Sequence, residues 1–181
     1  VDRVTYAVVA VNGIADSFVT NDRYGYVVED SYTTSDGYVV YTIWNGKENV
    51  KVQEKGNATR EKGDVLGYSS ITTEEGLADG VVGTIEDVDD NFGLKDNGIV
   101  YGVSDDQKTI SLDGKNTNSI TSDTIVLYVD TDAHKGYENG EIRAADDFGS
   151  GKIANVMYKL DGSAVDDDVA LLIVDVKNNL H

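Results

Sequence analysis

The chain has 181 residues, 40% of them hydrophobic, enough apolar material for one large or two small folded cores. Its 33 acids against 15 bases give a formal net charge of -18. Such a field repels nucleic acid and anionic membranes, because binding a phosphate backbone needs a basic footprint. The absence of Cys excludes disulfides, thiolate catalysis and Cys-ligated zinc, and the absence of Pro means that no turn is Pro-built.

No apolar run reaches the roughly 18 residues of a membrane-spanning helix. The first residues, Val1-Asp2-Arg3, carry no signal-peptide pattern, so the chain reads as a mature region or an excised fragment. Zero Cys and strong acidity permit an extracellular home without requiring one.

Apolar residues recur with period two or in short runs, the signature of strands. Val4 to Val11 reads as the first strand, ended by Asn12-Gly13, and Tyr24 to Glu29 as the second. Ser35-Asp36-Gly37 is a turn into a third, Tyr38 to Trp44. Asn45-Gly46 predicts a type I′ hairpin, in which both central positions take positive φ, with Glu48 to Gln53 returning. Lys62-Gly63-Asp64 turns the chain into Val65 to Ile71. A helical turn is expected around Glu74, Glu75 and Leu77, and a strand over Val81 to Val88.

Beyond Asp89-Asp90-Asn91 the pattern restarts at Asn97-Gly98 with Ile99 to Val103. Thr109 to Leu112, Thr124 to Val129, Ile153 to Leu160 and Val169 to Val176 read as strands. Asp113-Gly114 is a hairpin-type turn, and residues 130 to 152 read as loop with a helical turn at Glu141 to Ala145. β-branched and aromatic runs parted by Gly, Asn and Asp every 8 to 12 residues signal an all-β barrel or sandwich.

The order of elements repeats. Gly25 to Val28, Asn45-Gly46-Lys47, Asp64 to Tyr68 and Val81 to Val88 are echoed by Gly98 to Tyr101, Asp113-Gly114-Lys115, Asp123 to Tyr128 and Leu171 to Val176. The expectation is two tandem β modules, residues 1–92 and 93–181, closely packed because no Gly/Ser linker separates them. The alternative is that any two β stretches share such turns.

The stretch Ile153-Ala154-Asn155-Val156-Met157-Tyr158-Lys159-Leu160-Asp161-Gly162, followed by Ala170-Leu171-Leu172-Ile173-Val174-Asp175-Val176, resembles the β-rich parts of large surface proteins of Clostridia-type Firmicutes that carry S-layer homology domains. Lys62-Gly63-Asp64-Val65-Leu66-Gly67-Tyr68 is similar to their repeated β modules. The resemblance covers the C-terminal half well and the N-terminal half loosely. It implies a place at the cell surface or wall of a Gram-positive bacterium, with other surface-protein domains or envelope components as partners. The helical, wall-polymer-binding pattern of the S-layer homology domain itself is not found in these residues, so wall anchoring is not assigned to them.

Catalytic constellations are sparse. Of two His, His181 ends the chain and His134 lies in a polar loop, whereas a Ser-His-Asp site needs a shielded, oriented imidazole. Glycoside hydrolysis needs two carboxyls across a cleft, and 33 acids supply many pairs without singling one out. Phosphate-loop patterns are missing. The acidic loop Asp130, Asp132 and Glu141 matches positions 1, 3 and 12 of an EF-hand count and is the candidate calcium site. Position 5 is His134 and position 6 is Lys135, which breaks that motif. The other reading is that Asp sits in turns because its side chain caps them.

Tyr32, Tyr38, Tyr41 and Trp44 crowd the first half and are the candidate glycan contacts, since aromatic faces stack on sugar rings. Strand alternation places Tyr38 and Val40 on one face with Trp44, and Val39, Tyr41 and Ile43 on the other, so part of the set fills a core. The expected function is a non-enzymatic structural, spacer or interaction region of an S-layer-type surface protein, with no catalytic residue and no cofactor. A glycan or wall-polymer binding module is the alternative, and a hydrolase with an unrecognised carboxylate site a third.

Overall fold

The computed structural model describes residues 24–57, 60–73, 77–89, 92–148 and 154–177. The strand expected at Val4 to Val11 and the acidic pair Glu74 and Glu75 lie outside them. The all-β expectation holds: the described residues form fifteen strands in three sheets and one 3-10 turn, Ala145–Phe148.

The first sheet contains β1 (Tyr24–Val27), β2 (Tyr32–Thr33), β3 (Tyr38–Trp44), β4 (Asn49–Lys55), β5 (Val65–Gly67), β6 (Ser70–Thr72) and β7 (Val81–Glu86). Their order is β5-β1-β3-β4-β7-β6, with β2 also on β3. The later residues supply β8 (Lys95–Gly98), β9 (Gly102–Val103), β10 (Thr109–Ser111), β11 (Asn118–Ser119), β12 (Ile125–Asp130), β13 (Lys135–Tyr137), β14 (Val156–Leu160) and β15 (Val169–Asp175). These build a five-stranded sheet, β13-β12-β15-β14-β8, and a small one, β11-β10-β9. Each sheet thus draws its strands from one half of the chain.

Alternation sorts the side chains of each large sheet between two cores. In β3, Val39, Tyr41 and Ile43 join Val27, Val52, Leu66 and Ile85 in a core inside the first sheet. Trp44 points the other way, as its spacing predicts, and joins Tyr24, Tyr26 and Val28. That second core is completed by Leu127, Val129, Met157, Leu171 and Ile173 of the five-stranded sheet, so the two halves share it. On the far face of that sheet, Leu172, Val174 and Val156 meet Val100, Ile110 and Ile142 in a third core. A sheet covered on both faces needs continuous apolar strands, which is why residues 169–174 read Val-Ala-Leu-Leu-Ile-Val without polar alternation.

Two pairings are parallel, β4 with β7 and β12 with β15. The repeated order of elements is not a repeat of pairing. β5 lies antiparallel to β1, while its counterpart β12 runs between β13 and β15.

The hairpin at Asn45-Gly46 forms, but not as a two-residue type I′ turn. The loop spans residues 45–48 and, of these, only Gly46 has positive φ, at 100°. The Asn45 carboxamide accepts from the backbone N–H of Lys47 and Glu48, both at 2.9 Å, so a side-chain cap replaces the second left-handed residue. In the stretch read as loop, the 3-10 turn falls at Ala145–Phe148 rather than Glu141 to Ala145, and β13 was not anticipated.

Candidate binding surfaces

The four aromatic candidates do not form one platform. Tyr32 is exposed and Tyr38 half-buried, but Tyr41 and Trp44 are buried within the two cores that flank β3. Trp44 closes over Gly136 of β13, and among the described residues its indole Nε1 is the one buried side-chain polar atom without a hydrogen-bond partner. The alternation that sends Trp44 and Tyr41 to opposite faces gives each a core to fill, and this removes both from any ligand at the surface.

Tyr41 instead ends in a buried polar group. Its hydroxyl donates to Glu54 Oε2 at 2.8 Å, and Arg60 Nη2 donates to both Glu54 oxygens at 2.9 Å. Arg60 is only 6% exposed, so this paired charge is largely out of water. Burial, then the hydrogen bond to the Glu54 carboxylate, pushes the Tyr41 hydroxyl far above the usual phenol range. A groove of about 520 Å³ runs past Tyr38 and Glu54 to Glu86 and Asp87. Its carboxylates are already engaged: Thr72 Oγ1 donates to Glu86 at 3.2 Å and Ser69 Oγ to Asp87 at 3.0 Å.

A second polar group lies at the seam between the halves. The Tyr26 hydroxyl and His134 Nδ1 are 3.4 Å apart, within hydrogen-bond reach, with direction set by the imidazole tautomer. His134 is therefore no free loop residue. It takes φ 49° and packs its ring against Gly63 of the opposite half. Burial, with the charges of Asp175 and Asp130 behind it, pushes Tyr26 up to about 12. A hydroxyl held protonated in this way orders the seam and is poorly suited to attack a substrate.

The proposed calcium loop is used differently. Asp130 Oδ1 accepts the backbone N–H of Asp132 and Ala133, both at 3.0 Å, which closes the β12–β13 turn. Glu141 lies close enough to Tyr128 for its charge to raise that phenol, after burial. Among the described residues, no group of three or more His, Asp or Glu is placed to hold a metal ion.

A further groove, of about 420 Å³, opens between the β8–β14 edge of the five-stranded sheet and the small sheet. Tyr158 and Lys159 of β14, Lys95 of β8 and Leu112 line it. Tyr158 stands opposite Lys95 in the strand register, and its ring packs over Gly98. The fourth wall is the loop between β14 and β15. Asn118, 1% exposed, fixes that loop through Nδ2 to the carbonyls of Val165 and Asp167, both at 2.9 Å. None of these residues belongs to a binding motif in the sequence, because the groove arises from pairing between distant strands.

No protein family matches the chain, and no curated protein and no solved structure matches it. Among the described residues, no helix is long and apolar enough to cross a membrane.

Proposed function

We propose that the chain is a non-catalytic structural region, a rigid spacer, in an S-layer-type protein of a bacterial cell surface. The shared core is the observation that supports this best. It holds β1, the first described strand, against β15, the last, through Tyr24, Tyr26, Leu171 and Ile173. A load on one half therefore passes to the other through packed side chains instead of along a flexible linker. The strand-and-turn phrases of residues 153–176 support the cell-surface setting, and the acidic surface keeps such a protein soluble and away from anionic polymers.

A spacer contributes length and stiffness, not a specific surface. The test is to replace the chain, within its parent protein, by an unrelated rigid β domain of equal end-to-end length. Electron microscopy of the cell surface should then show unchanged spacing between neighbouring molecules, whereas deletion should contract it. Replacement that disturbs the spacing as much as deletion would overturn the reading.

A further inference from the structure

We infer that the groove between β14 and the small sheet is a binding site for an acidic saccharide, a sugar ring carrying a single carboxylate. Its charge is inverted relative to the chain. The protein has 33 acids and 15 bases, yet Lys95 and Lys159 line this groove against a single acid, Asp113. Asp113 is already saturated by its own turn. Its carboxylate accepts from the backbone N–H of Lys115 at 2.8 Å and Asn116 at 2.7 Å, and from Asn116 Nδ2 at 2.7 Å. Neither lysine has an ion-pair partner among the described residues, while the Lys62–Asp30 pair elsewhere lies at 3.3 Å.

The apolar part of the groove supplies the other half of the recognition. Tyr158 is half-buried, one side of its ring resting on Gly98, and it lines the floor beside Leu112 and Leu160. Val165 at the rim is 64% exposed. The buried Asn118 pins the loop that presents it, so the apolar rim is held open by structure. A wall with aromatic and aliphatic faces and two lysines, Lys95 opposite Tyr158 in the strand register and Lys159 with its Nζ donating to the carbonyl of Leu160 at 3.4 Å, matches a ring that has a C–H face and one anionic substituent. A polyanion would meet the net charge of -18 on approach, which limits the ligand to a lone charge.

Methyl glucuronide and methyl glucoside differ only in the carboxylate, and heteronuclear NMR titration of the whole chain with each tests the proposal. The glucuronide should shift the amides of Lys95, Tyr158 and Val165 and bind about tenfold more tightly than the glucoside, the factor that one charged hydrogen bond supplies. Lys95→Met and Lys159→Met should remove most of that difference. Tyr158→Ala, which also strips packing from Gly98, is checked against the exposed-site variant Val165→Asp, which should weaken the glucuronide without unfolding the chain. Equal affinity for the two sugars, shifts elsewhere on the surface, or no shift with either would overturn the proposal.

Discussion

Gly136 is the sharpest probe of the shared core. It lies in β13 of the later half, yet a methyl group built on it would sit within the van der Waals surface of the Trp44 indole, which belongs to the first half. Its φ lies outside the left-handed region that favours glycine, so the cost of Gly136→Ala is steric and arises at the seam. Trp44 is 6% exposed and enclosed by the shared core, so it cannot swing into solvent cheaply. Overpacking of this kind costs about 1–3 kcal/mol, and the depth of the overlap puts this site near ~3 kcal/mol. For a chain of this size ~3 kcal/mol corresponds to a midpoint lower by about 6–12 °C. Thermal melts followed by far-ultraviolet circular dichroism would read it. The same substitution in a Trp44→Leu background should cost much less, because the smaller side chain leaves room. A shift under about 2 °C, or an equal cost in both backgrounds, would refute packing between the halves.

Removing one partner of the buried pair, with Glu54→Gln or Arg60→Met, should destabilise the fold by about 3–5 kcal/mol in urea titrations, because the remaining charge stays buried. Stability should fall as pH rises from 10 to about 12. In that window the unfolded chain has released the Tyr26 proton while the folded chain keeps it, so the unfolded state is favoured. Tyr26→Phe should make that part of the pH–stability curve less steep, the remaining slope coming from Tyr41, whose hydroxyl is pushed up further still. Calcium, compared with chelator, should leave the melting midpoint unchanged, because Asp130 Oδ1 is committed to capping its own turn. Asn118→Ala should cost about 1–3 kcal/mol by leaving two loop carbonyls without their donor, read in the same urea titrations.

What could be read from the residues was whatever is local. β3 lies over Tyr38–Trp44 as its alternation predicts, and the opposite facing of Tyr41 and Trp44 follows from the same period. The polar sequence Lys95-Asp96-Asn97-Gly98 gave no strand signal, because β8 is an edge strand whose first three residues face solvent. The parallel pairs were not visible either. Hairpins announce themselves by turn residues, but β12 and β15 meet through a long crossover whose described residues carry, as helix, only the short 3-10 turn Ala145–Phe148. The aromatic cluster shows the limit most clearly. Neighbours in sequence were separated by the pleat, while Lys95 and Tyr158, far apart in the chain, were brought together by strand register.

The core around Trp44 and Ile173 is built by both halves, which predicts that they unfold together as one body. Differential scanning calorimetry of the whole chain tests it directly. One transition whose calorimetric and van't Hoff enthalpies agree is the predicted result. Two separable transitions, one for each half, would contradict it.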